Sequence, residues 1–112
     1  MTKKERQEIK HKYLFINDRK DWNEDQKRLD KEISARDMID SIICYGLCDY
    51  DYVINDEYLD DYKKELGEER VKELVKEQID EKPYIERNVY TDNEGLTYNS
   101  LHFKDEEGYK ED

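Results

Sequence analysis

Ala35, Met38, Ile39, Ile42 and Ile43 repeat at i, i+3, i+4, i+7 and i+8, the spacing that gathers side chains on one face of an α-helix. It is the most apolar helical stretch in a chain of which 46% of the residues are charged. The other apolar residues must therefore pack around this stripe. They are few: Leu, Ile, Val and Phe together number 23 of 112 residues. With a formal net charge of −11, that supply lies close to the composition of disordered chains. Ten tyrosines shift the balance, because each can bury its ring and keep its hydroxyl in water. A chain of this length makes a single domain over 1–112, with a small core walled by tyrosine.

The patterns on either side of the stripe are helical as far as residue 82. Thr2 and Glu5 form a capping box, and Ile9, Tyr13 and Ile16 follow at helical spacing, which predicts a first helix of about four turns. Asp21 or Asn23 starts a second helix carrying Trp22, Leu29 and Ile33. Ser34 either caps a new helix or sits within one long helix continuing through the stripe, with Gly46 suited to the C′ position. Residues 47–54 read as a short strand or extended link. Asn55 then caps a helix through Leu66 with Leu59, Tyr62 and Leu66 inward, and Gly67 ends it. Val71, Leu74 and Val75 define one more helix to about Ile79, and Pro83 closes the helical region. From there the period changes. Ile85–Thr91 and Leu96–Phe103 flank Asp92-Asn93-Glu94-Gly95, a β-hairpin pattern with glycine in the turn. The fold class is α+β: three to five helices with a C-terminal β-hairpin packed on them. Charged helices occupy 1–33, the helical core 34–82, the hairpin 83–104, and a loose tail 105–112. Leu59, Leu66, Leu74, Val75, Val89 and Leu101 are expected around the stripe.

Charge is distributed unevenly along this frame. Residues 1–36 carry eleven bases and eight acids, net +3, whereas residues 37–62 carry eight acids and no Lys or Arg. The densest part is Cys48–Tyr62, with Asp49, Asp51, Asp56, Glu57, Asp60 and Asp61 interleaved with Tyr50, Tyr52, Tyr58 and Tyr62. On a helix, Asp56–Asp60 and Glu57–Asp61 are i, i+4 pairs about 5–6 Å apart. On an extended chain Asp49 and Asp51 share a face about 7 Å apart. Both spacings approach the roughly 6–7 Å between successive phosphates of a nucleic-acid strand. Carboxylates so spaced compete for the Lys and Arg that hold phosphate, and tyrosine faces between them accept Arg. Such a surface attracts basic partners and repels nucleic acid and anionic membrane.

Other chemistries find little support. Asp49, Asp51 and Asn55 share the opening spacing of a calcium loop, but Val53 stands at its fifth position and the glycine and closing Glu are missing. Cys44 and Cys48, four apart on an apolar helix, read as free thiols packed in a core, and His11 and His102 lie far from them in sequence. No Gly-rich phosphate loop, nucleophile signature or histidine cluster is present, so no enzyme, cofactor or metal is expected. The first twelve residues are rich in Lys and Glu with no apolar stretch behind them, and the longest apolar run, Ile42–Cys48, is too short to span a bilayer. A cytoplasmic location is expected, with no membrane partner and the oligomeric state open.

In size, charge and Tyr/Asp/Glu texture, carried by residues 37–62, the chain resembles the small proteins with which phages and conjugative elements blunt host defences. Anti-CRISPR and anti-restriction proteins that mimic DNA are the examples. Val89–Phe103 resembles the closing hairpin of small proteins of such elements. The resemblance implies an inhibitor in the bacterial host cell that occupies the basic groove of a nucleic-acid-binding nuclease, such as a CRISPR effector, and blocks DNA recognition. Asp49, Asp51, Asp56, Glu57, Asp60 and Asp61 with Tyr50, Tyr52 and Tyr58 would make that contact. The other expectation is a non-enzymatic regulatory subunit whose acidic face serves only solvation.

Overall fold

The computed structural model describes residues 2–17, 19–45, 49–89 and 97–103. Among the described residues, five α-helices and three strands follow one another: α1 (Lys3–Lys12), β1 (Phe15–Asn17), α2 (Glu24–Cys44), α3 (Tyr50–Ile54), α4 (Asp60–Leu66), α5 (Glu68–Asp80), β2 (Tyr84–Val89) and β3 (Thr97–His102). Single 3₁₀ turns lie at Arg19–Asp21 and Glu57–Leu59. The architecture is the expected α+β one, a helical body with a C-terminal antiparallel hairpin.

The capping box at Thr2 and Glu5 starts α1. The helix is shorter than its periodicity suggests: Tyr13 is its C-cap, and Ile16 belongs to β1. β1 pairs antiparallel with β3 in the register Phe15↔Asn99, giving a three-stranded sheet of order β1-β3-β2. That third strand is absent from the sequence reading, because three residues are too few to show an alternating pattern. β2 and β3 pair from Tyr84↔His102 to Val89↔Thr97. The hairpin turn, Gly46 and the C-terminal tail lie outside the described residues.

Asn23 caps α2 and Gln26 returns the bond to the Asn23 amide, a second capping box. Trp22 precedes the cap and is buried there rather than on the helix. Of the two readings at Ser34, the long helix is the observed one: α2 runs 21 residues without a break. It serves two cores. Ala35, Ile39 and Ile42 pack with Val53, Ile54, Leu59, Leu66, Val71, Leu74 and Val75 in a helical core. Ile33, on the first half of the same helix, packs with Tyr13, Trp22, Leu101 and Phe103 beneath the sheet. Leu101 thus sits in the second core and not around the stripe; the Val89 side chain is outside what is described. Two small cores joined by one helix fit a chain this poor in apolar residues.

Residues 50–54 form α3, not a strand. Asp49 caps it and turns Val53 and Ile54 inward, leaving Asp49, Asp51 and Tyr52 on the outside. Asn55 ends α3 instead of starting the next helix; Asp56 caps the following 3₁₀ turn, and α4 begins at Asp60. Gly67 is the entire link between α4 and α5. Its φ of 94° and ψ of 142° fold the chain at one residue, a conformation that a side chain disfavours.

Candidate interaction surface

Asp49 and Asp51, Tyr52, Asn55, and Asp56 with Glu57 and Tyr58 line a groove of about 720 Å³ on the outside of α3 and the 3₁₀ turn behind it. Among the described residues its wall holds four carboxylates, two phenols and no base. Six of the nine residues singled out in the sequence thus come together: Asp49, Asp51, Asp56, Glu57, Tyr52 and Tyr58. Tyr50 does not. It is half-buried against the helical core and borders a separate hollow with Lys76, Ile79 and Asp80. Asp60 and Asp61 are exposed on the first turn of α4 and do not line the groove, and Asp60 lies 4.0 Å from Lys63 Nζ. Asp56 lies in extended backbone ahead of the 3₁₀ turn, so the helical i, i+4 geometry assumed for Asp56–Asp60 is not formed, while Glu57 to Asp61 spans the passage from that turn into α4.

The acids also have local work. Asp49 Oδ1 accepts the Tyr52 amide hydrogen bond at 3.2 Å, and Asp56 Oδ1 accepts that of Tyr58 at 2.9 Å. Asp51, Glu57, Asp60 and Asp61 stand in first turns. All six carboxylates therefore sit where helix N-termini leave amide groups unbonded and favour negative charge. Three consecutive helix starts within thirteen residues account for part of the acid density without any partner. They do not account for the tyrosines. Tyr52 is 54% exposed and Tyr58 64% exposed. Their rings border a second, more apolar cleft of about 400 Å³, whose other walls are Met38, Ser41, Ile42 and Tyr45 of the α2 end. Tyr52, Asp56 and Tyr58 belong to both hollows, so the two form one continuous surface.

Sequence reasoning missed a buried polar cluster between α2 and α5. Arg36 is fully buried: its Nη1 donates to Gln78 Oε1 and its Nη2 to Glu77 Oε1, both at 3.0 Å, and its guanidinium lies 5.3 Å from the Tyr13 ring centre. Tyr13 Oη donates to Glu32 at 2.7 Å, and Arg70 pairs with Glu32 and Glu73. Burial pushes the Tyr13 phenol up, and the Glu32 charge adds to it against the opposing Arg36, so Tyr13 remains a donor. Burial would also raise the Glu32 carboxyl. The hydrogen bonds from Arg70 and Tyr13, with the charges of both arginines, outweigh that and hold it below the usual carboxylate range. Burial pushes the Asp40 carboxyl up, only partly offset by its hydrogen bond from Gln78. With Arg36 and Tyr13 shut off from solvent, this cluster clasps α2 to α5 and to the end of α1. One signal was legible: Arg36 stands three residues from both Ile33 and Ile39, inside the apolar stripe.

On the sheet, Ser100 Oγ lies 2.9 Å and Glu86 Oε2 3.5 Å from His102, which stacks on Tyr84. Both contacts meet the same ring nitrogen, Nε2, so Ser100 and Glu86 do not flank the ring as the nucleophile and acid of a triad would. Among the described residues no three His, Cys, Asp or Glu side chains gather as metal ligands. Cys44 is exposed at the end of α2, not packed in the core, and Cys48 lies outside the described residues. Among the described residues no helix is long and apolar enough to cross a membrane. Compared with protein-family models, curated proteins and solved structures, the chain matches none.

Proposed function

We propose that this protein is an acidic inhibitor, of the anti-CRISPR or anti-restriction kind, that docks its Asp49–Tyr58 groove into the basic nucleic-acid-binding groove of a nuclease and competes with DNA. The carrying observation is the pair of strongly exposed tyrosines, Tyr52 and Tyr58, set among four carboxylates with no base among the described residues of the wall. Carboxylates pair with the Arg and Lys that hold phosphate, and phenol faces take guanidinium groups. Tyrosine is also the residue type that most often anchors protein interfaces. The encounter is steered by charge, and the net −11 keeps the protein itself off nucleic acid.

The second reading, a regulatory subunit whose acids only start helices, rests on the N-terminal position of all six carboxylates. Asp51→Asn with Glu57→Gln separates the two, since neither residue is a cap. Asp60→Asn with Asp61→Asn is the matched control outside the groove. In a cleavage assay with a purified RNA-guided DNA nuclease, the parent should inhibit, excess DNA should relieve the inhibition, and only the groove pair should weaken it. Equal inhibition by both double variants, or none by the parent across a panel of such nucleases, would sink the mimic and favour the subunit.

A further inference from the structure

We infer that the docking surface has a second, apolar half at the end of α2, and that its occupant is a segment of a protein partner bearing arginine beside a large apolar side chain. This deepens the proposed function and rests on its reading that a basic partner docks here. Among the described residues, four large apolar side chains stand exposed, and three of them, Tyr45 at 89%, Tyr52 at 54% and Tyr58 at 64%, border this one cleft. Its floor is the α2 stripe itself: Met38 and Ile42 also touch the helical core. Met38 and Ile42 thus pack against this chain's own helices and also border the cleft, Ile42 with only 8% of its surface exposed.

Charge selects the occupant. Asp56 lies in both hollows, and Asp49, Asp51 and Glu57 line the adjoining one. A purely apolar segment would desolvate carboxylates without pairing them, which is costly. A purely basic segment would leave the Met38–Ile42 floor and the Tyr45 ring uncovered. A segment with both fits both halves. Arginine suits it better than lysine, because a planar guanidinium binds a carboxylate with two hydrogen bonds and stacks on tyrosine.

Two synthetic helical peptides of equal length and charge test this. One alternates Arg with Leu at helical spacing; the other replaces each Leu with Gln. Titrated into the full chain and followed by NMR, the Arg/Leu peptide should bind about tenfold tighter, the size expected from burying one or two anchor side chains. Resonances of Met38 and Tyr45 should move with it. Tyr45→Ala should remove most of that advantage and leave the Arg/Gln affinity unchanged; Tyr58→Ala should weaken both. Because Tyr45 is almost wholly exposed, its loss should not touch the fold, and circular dichroism melts verify that. Equal affinity for the two peptides overturns the apolar half while the acidic docking surface survives. No binding of either overturns both. Concentration-dependent self-association that vanishes in Leu14→Ser would make a second copy the occupant, through its exposed Leu14 beside Lys10 and Lys12, and would also overturn the inference.

Discussion

Asp40 and Glu32 are two carboxylates of one helix whose surroundings push them in opposite directions. Asp40 is half-buried with one long hydrogen bond from Gln78, so burial favours its neutral form and its folded pKa lies above the unfolded value. The folded state then holds its proton more tightly than the unfolded chain does. Its ionisation costs stability at neutral pH, and that cost disappears as pH falls below the ordinary aspartate value. Asp40→Asn keeps an acceptor for Gln78 and removes the charge. Its urea midpoint should exceed the parent's at pH 7, with the two converging as pH falls toward and past 3.8, the unperturbed value. Glu32 has the reverse sign. Its folded pKa is depressed, so its contribution is present above the unfolded value and is lost as pH falls through the folded one. Glu32→Gln leaves Arg70 and Arg36 short of a counter-charge at a buried position. It should cost on the order of 3 kcal/mol at pH 7, with the gap closing in acid. A Glu32→Gln penalty that persists unchanged to pH 3 would show that lost packing, not charge, holds α2 to its neighbours.

At the scale of elements, Gly67 joins two helices with no intervening loop. A Cβ built there meets nothing within 4 Å, so the only obstacle to a side chain is the backbone itself at φ 94°. Gly67→Ala should therefore lose about 1–3 kcal/mol from backbone strain alone, read as a lower urea midpoint with an unchanged slope. A neutral outcome would mean that α4 and α5 can re-angle freely. This junction was legible because glycine after a periodic run signals a helix end, and the Thr2–Glu5 capping box and the α5 stripe of Val71, Leu74 and Val75 were legible for the same reason: each is a local rule. What misled was also local. Alternating Asp and Tyr over 49–52 imitates a strand, yet Val53 and Ile54 next to each other are what the core takes, and an N-cap aspartate decides for helix. Tyr13 and Ile16 continue the helical period of α1, but β3 claims the backbone at Phe15–Asn17. Pairing across eighty residues or more leaves no trace in a nearby window. The acidic surface was legible as a composition, while its shape was not. Tyr50 and Tyr52, two apart, face different ways only because α3 is a helix, and Tyr45 joins the cleft from another element.

The whole molecule sets buried charge pairs against a surface of one prevailing sign, and salt separates the two. Asp49, Asp51, Asp56 and Glu57 repel one another across an open groove where ions reach them. Salt at about 0.1 M screens exposed charges beyond roughly 10 Å, and more salt shortens that reach. The Arg36–Glu77 and Arg70–Glu32 pairs are largely withdrawn from solvent and are screened much less. Added sodium chloride should therefore raise the melting temperature of the free protein, since relief of repulsion outweighs the weakening of surface pairs such as Lys72 with Glu68 and Glu69. Helix-start stabilisation by the same acids is screened too, so the rise should be modest, a few degrees between low and physiological salt for about 1 kcal/mol. Docking to a basic groove should respond with the opposite sign, its on-rate falling steeply over the same range. Asp51→Asn with Glu57→Gln should flatten both responses together, because one set of carboxylates causes both. Calorimetric melts and stopped-flow binding across a salt series measure the two slopes. If the pair of substitutions flattens the melting response and leaves the binding slope intact, the groove acids govern the fold alone and the contact with a basic partner lies elsewhere on the molecule.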